Sequence, residues 1–139
     1  MFEFVINKKA ENKDIEEMIC VLEKKYNIVF PEILKEYYMY YDGEMINYCN
    51  INTEEEPEIV SKIVALKNNE FESFKDECDS DGFIPKSMFP IAGSRGGDYY
   101  FWDSKNGGVY IFYSDDIDNP QKKADSVEEF FEMLDNSQK

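Results

Sequence analysis

The residues best placed to do chemistry gather in one stretch, GSRGGDYYFWD, from Gly93 to Asp103. Glycine-rich loops bind phosphate when their backbone amides open a helix. Here the glycines run into a β-rich segment, and no Gly-Lys-Ser/Thr follows. A tight entry into a hairpin fits the pattern better, with glycine where a side chain would clash. A second possibility pairs Asp98 with Asp103 or Asp115 as the acid and base of a glycosidase-like centre. The chain holds 30 Asp and Glu, so some pair at a working separation arises by chance. Nothing in the sequence supplies the apolar pocket that would separate their pKa values. Aspartates at strand and turn ends commonly accept bonds from backbone N–H groups, and that is the reading adopted for Asp98 and Asp103.

Other chemical signals fare no better. In ECDSDGFIPKSM, Asp79, Asp81, Gly82 and Ile84 fall at EF-hand-like offsets, but Met88 stands where a bidentate Glu is needed. Cys20, Cys49 and Cys78 are odd in number and far apart, which argues against a disulfide framework or a thiolate metal site. The chain has no histidine, which removes Ser-His-Asp and Cys-His nucleophile arrangements. The expectation is a protein without catalytic residues, cofactor or metal.

The elements that would carry these residues follow from periodicity. Ile15, Met18, Ile19 and Leu22 recur at helical spacing behind Asp14 and Glu17, predicting a helix from Asp14 to Lys25. Pro31 suits the opening of a second helix, PEILKEYYMYYDG, which stops at Gly43. MINYCNI (Met45 to Ile51) and EIVSKIVALK (Glu58 to Lys67) read as strands around an acidic loop. A helical turn at Glu70 to Lys75 followed by a loop is expected next, and Pro85 and Pro90 argue against a long regular element in FIPKSMFPIAG. DYYFW and VYIFYS, joined by DSKNGG, predict a β-hairpin turning at Asn106-Gly107. Ser126 and Glu129 form a capping box ahead of Val127, Phe130, Phe131 and Leu134, a final helix. This order describes one α+β domain across the chain, core about Asp14 to Leu134, with an antiparallel or mixed sheet flanked by helices.

Alternation places Tyr99 and Phe101 opposite Tyr100 and Trp102, so both faces of the hairpin are apolar. Cover on both sides is the main expectation, by helices on one and by loops or the C-terminal segment on the other. A minority of these aromatics would serve an interface.

Charge narrows the partners. The 139-residue chain carries a formal net charge of −15, which repels nucleic-acid backbones and anionic membranes and attracts basic proteins. It has no membrane-spanning run and no signal-like start, so a cytoplasmic location is expected.

IVFPEILKEYYMYYDG resembles the "l-P-x-x-y/l-x-x-f/y-l-x-x-n/d-G" segment of the SUKH superfamily, which includes Smi/Knr-type cell-wall assembly regulators. FPIAGSRGGDYYFWD is similar to its second signature, a glycine-rich turn followed by "G-D-x-x-x-x-D", and VYIFYSDD and SVEEFFEML match what comes after. Glu44 departs from the second glycine often found after the helical segment. The resemblance implies a single α+β domain without enzymatic activity, in which Pro31, Gly43, Gly97, Asp98 and Asp103 occupy motif positions as fold determinants. It also implies a bacterial immunity protein that binds a cognate secreted toxin domain, often a nuclease. An acidic face would suit the basic cleft of such a toxin. Asp115, Asp116 and Asp118, the loop residues Glu54, Glu55 and Glu56, and Tyr48, Tyr100 and Trp102 are the candidates for that face. An adaptor without a toxin and a small hydrolase are the rival readings.

Overall fold

The computed structural model describes residues 3–5, 12–44, 49–51 and 58–137. The described elements are α1 (Lys13–Tyr26), α2 (Glu32–Tyr41), β1 (Cys49–Asn50), β2 (Ile59–Ile63), α3 (Glu70–Asp81), β3 (Met88–Ser94), β4 (Tyr99–Asp103), β5 (Val109–Tyr113), β6 (Asp116–Ala124) and α4 (Val127–Asn136). The strands form a six-stranded sheet in chain order, and each neighbouring pair is antiparallel. The fold is α+β, a single small domain. Part of the predicted Met45–Ile51 strand lies outside the described residues.

Local chemistry explains most element ends. Asn12, ahead of the expected Asp14 by two residues, caps α1 by accepting from Asp14 N at 2.9 Å. Asn27 closes α1 in the left-handed region. Pro31 opens α2, its carbonyl accepting from Leu34 N and Lys35 N at 3.0 Å. Past the end of α2, buried Asp42 accepts from Leu66 N at 2.8 Å and Lys67 N at 2.9 Å. Gly43 follows with φ +84°, where an added Cβ would sit 3.2 Å from Ala65 Cβ. Ser126 Oγ caps α4 by accepting from Glu129 N at 3.0 Å.

Two expectations about the middle of the chain are corrected. The segment after Lys75 is not a loop: α3 continues to Asp81 and stops at left-handed Gly82. Its Asp79, read as part of a calcium-like loop, accepts from Lys75 Nζ at 2.7 Å one helical turn away. The Lys75 ammonium is fully buried, donates to Lys86 O at 2.8 Å and lies 4.3 Å from the Phe89 ring centroid. A carboxylate, a carbonyl and an aromatic face together compensate its desolvation. Pro90, in turn, does not interrupt β3. Pairing to β2 reaches only Ala92 to Ser94, and the ladder to β4 shifts register between Pro90 and Ala92. Proline is tolerated at such a bulge with one flank free of a strand. There α3 takes the place of β2, stacking Phe71 against Phe89 with ring centroids 6.2 Å apart.

The sheet is covered on both faces. The larger core joins α1, α2 and α4 to Val60, Ile91, Tyr100, Trp102 and Ile111. The smaller one contains Ile84, Met88, Phe101 and Phe112, with Phe74, Tyr99 and Ile117 against it. Cover on the second side comes from α3 and the segment after it; the C-terminal helix lies on the main core, where Phe130 meets Tyr100 at 5.0 Å. Phe30, between α1 and α2, touches Tyr38, Phe71 and Trp102 with centroids 5.6–5.9 Å apart.

Replacing Phe30 with Ala should therefore cost about 3–5 kcal/mol in denaturant unfolding, the range for a buried aromatic truncation. Val29→Ala next to it, at a side chain 74% exposed, should stay within about 0.5 kcal/mol.

Candidate protein-binding site

The β3–β4 turn, the β5–β6 turn and the end of α3 meet on the smaller face of the sheet, and the β4–β5 turn lies at the opposite end of β4. The β3–β4 turn is built by Ser94, whose N donates to Asp98 O at 2.8 Å and whose Oγ accepts from Asp98 N at 3.0 Å. Gly97 takes φ +93° within it. The Asp98 carboxylate then reaches out of its own turn to accept from Ser114 N at 2.7 Å. It ties the β3–β4 turn to the β5–β6 turn through a backbone N–H. Asp103 closes the β4–β5 hairpin: its Oδ1 accepts from Lys105 N at 2.8 Å, and its carbonyl accepts from Gly107 N at 2.8 Å. The positive φ of that hairpin falls on Gly107.

Between the β3–β4 turn, the β5–β6 turn and the end of α3 lies an apolar cavity of about 170 Å³. Phe74 and Cys78 of α3, Phe83 and Ile84 beyond it, Phe101 of β4 and Ile117 of β6 are among its walls. The Cys78 thiol is pushed up to about 11 by burial, so it is neutral at physiological pH. Asp81 is the charged residue in the wall. Asp115, Asp116 and Asp118 are all exposed and interleave with wall residues Ser114 and Ile117 along the β5–β6 hairpin. A wider groove of about 620 Å³, lined by Val29, Lys86 and Lys105 among others, differs in carrying lysines.

The expected surface residues are thus divided. Asp115, Asp116 and Asp118 stand together on one hairpin; of these, Asp116 and Asp118 belong to edge strand β6 rather than to a loop. Tyr48, Glu54, Glu55 and Glu56 lie outside the described residues. Tyr100 and Trp102 are not on the surface: they are 0% and 4% exposed, because they occupy the face of β4 that the helices cover. Trp102 packs on Phe30 and Phe89. The cavity was not foreseen. Its signal was Phe74 and Cys78, four residues apart on one face of a helix in a run dominated by acidic residues.

Beneath the site, Glu58 organises a polar cluster. It accepts from Tyr100 Oη at 2.7 Å and Tyr113 Oη at 2.9 Å, and pairs with Lys123 Nζ at 2.7 Å. Burial alone would raise its pKa, but the bonds from Lys123, Tyr100 and Tyr113 outweigh that and hold it below the ordinary value. Tyr100 is pushed the other way, by burial first and by the Glu58 carboxylate second. The cluster joins the start of β2 to β4, β5 and β6.

The SUKH_6 family model, described as SMI1-KNR4 cell-wall, matches residues 16–131, nearly all of the span from α1 to α4. The chain belongs to the SUKH family. No curated protein matches it in sequence. SUKH membership is consistent with an immunity or regulatory role and with protein–protein interaction. No helix among the described residues is long and apolar enough to cross a membrane.

Because the folded pKa of Glu58 is depressed, its stabilising contribution is complete above the unfolded value near 4.5. It disappears as pH falls through the lower folded value. Glu58→Gln should cost about 1–3 kcal/mol at pH 7 and should flatten the loss of stability below pH ~4.5 in urea titrations. An unchanged acid limb would mean that Glu58 does not contribute to it.

Proposed function

We propose that this SUKH protein is a non-enzymatic immunity protein that binds a basic, secreted toxin domain, possessing no covalent chemistry of its own. The observation that carries the reading is the grouping of Asp115, Asp116 and Asp118, all exposed, on a hairpin held in place by Asp98. In a chain of net charge −15, this projection presents a group of carboxylates to a basic cleft such as that of a nuclease. Negative potential of this kind raises the encounter rate with cationic partners and disfavours anionic ones. A cytoplasmic site of action accords with cysteines that are odd in number and far apart in sequence, Cys20 and Cys78 carrying free thiols.

A hydrolase would need separated carboxylate pKa values in a substrate-sized cavity. Asp98 and Asp103 instead spend carboxylate oxygens on backbone N–H groups, which supports a structural role for both. A regulatory adaptor would share the acidic hairpin, and the gene beside this one distinguishes it: an adjacent toxin gene favours immunity.

The direct test is binding of the purified toxin domain encoded next to the gene. Wild-type protein should bind it and abolish its toxicity on co-expression. The triple variant Asp115→Lys, Asp116→Lys, Asp118→Lys should associate at least about tenfold more slowly at low salt, with the difference shrinking at high salt. Equal association rates at both salt concentrations would refute the electrostatic role of the hairpin.

A further inference from the structure

The cavity beside the acidic hairpin has a size, a lining and a rim that together define an occupant. We propose that it is an anchor site for a protein partner, receiving one phenylalanine- or leucine-sized side chain from a segment flanked by basic residues. This rests on the reading of the acidic face as a protein-binding surface and adds to it a specific contact.

Size is the first argument. Drug-sized ligands and cofactors occupy about 300–1,000 Å³, well above the 170 Å³ present. A dry apolar cavity of about 150 Å³ takes a benzene ring, so a single large side chain matches. The lining agrees, because Phe74, Ile84, Phe101, Phe112 and Ile117 offer hydrocarbon and aromatic edges from four different elements and the loop after α3. Phe83 stands at the mouth and is 66% exposed. A large exposed aromatic beside a pocket is the composition of an interface centre rather than of a solvated loop.

The rim decides the flanks. None of the wall residues is basic, while Asp81 lies in the wall and Asp115, Asp116 and Asp118 follow the hairpin that forms one side. An apolar side chain entering here brings its neighbours in sequence beside Asp81 and into the negative potential of the hairpin, where Lys or Arg is favoured and Asp or Glu disfavoured. The same rim argues against a second copy of this chain as occupant, since two surfaces of like sign would face each other. The hairpin would set the rate of encounter and the cavity the lifetime of the complex, as rim charges and buried anchors generally divide those tasks.

The experiment uses the full chain with 13C-labelled isoleucine methyls, so that Ile84 and Ile117 report on the cavity. The probe is the capped peptide Lys-Arg-Phe-Arg-Lys, with an Ala-centred version and a Phe-centred version carrying Glu flanks as controls. The Phe peptide should shift both methyls saturably. Each control should bind at least about tenfold more weakly, the loss expected for removal of an anchor or of charge complementarity. Cys78→Phe and Ile117→Trp fill the cavity from α3 and from β6; whichever retains the wild-type unfolding midpoint should abolish the shifts. Methyls unmoved at millimolar peptide, equal binding of the Ala version, or equal binding of the Glu-flanked version would each overturn the proposal. Shifts that depend on protein concentration without peptide would also overturn it, by assigning the cavity to a second copy. With the adjacent toxin as ligand, filled variants that bind as tightly as wild type would remove the cavity as anchor while leaving immunity intact. Peptide binding without toxin binding would keep the anchor site and remove the immunity reading.

Discussion

Tyr100 and Trp102 can be buried on one face of β4 while Phe101 is buried on the other only if the sheet is covered twice. Three helices supply the first cover, and the chain has few residues left for the second. It solves this with α3, which places Phe71 in the main core and Phe74 and Cys78 against the opposite cluster. One helix cannot cover the whole face. Its end at Gly82 leaves the region between Phe83, the turns and β6 partly open, and the cavity is what remains uncovered. The candidate site is thus a consequence of how β4 is packed.

A second constraint is electrostatic. A surplus of carboxylates penalises compactness through mutual repulsion, and exposed ion pairs such as Lys122–Asp125 or Lys62–Glu70 return only ~0–1 kcal/mol each. The buried charges are treated differently. Glu58 has Lys123 and two tyrosine hydroxyls, Lys75 has Asp79 and Lys86 O, and Asp42 has two backbone N–H groups. Each therefore meets the requirement that a desolvated polar group be paired. Other carboxylates stand exposed on helix faces and in turns, and some on edge strand β6. There they also discourage edge-to-edge pairing, as do Pro120, Lys122 and Lys123.

Legibility in the sequence followed local strength. The β4–β5 hairpin and α4 were readable because turn residues, capping box and periodicity all agreed. β6 was not, since DIDNPQKKA is almost wholly exposed and contains proline; only pairing to β5 makes it a strand. The second half of α3, beyond the helical turn expected at Glu70 to Lys75, was hidden for a related reason. Its apolar stripe is interrupted by Lys75, whose burial depends on Lys86 O and Phe89, contacts that no local window contains. Pro90 misled because the rule against proline in strands presumes neighbours on both sides, and β2 ends its pairing at Ala92. For Tyr100 and Trp102, alternation correctly put them on one face. Which face the helices would choose was a tertiary question.

The SUKH frame by itself names no partner, since a fold carries function only through its surface. What distinguishes this surface is a division between fixed charge and apolar depth. The Asp98–Ser114 bond anchors the backbone of the hairpin that carries the carboxylates, which limits the ordering a partner must impose on that backbone. Fixed charge alone gives fast but salt-sensitive and promiscuous association. Discrimination between two basic proteins requires a contact that one satisfies and the other does not. Among the described features of this face, the cavity is the element able to make that distinction, because its walls are set by packed side chains. Under the proposed immunity role, a protein and partner that diverge together could then change the anchor and its walls while leaving the acidic hairpin untouched.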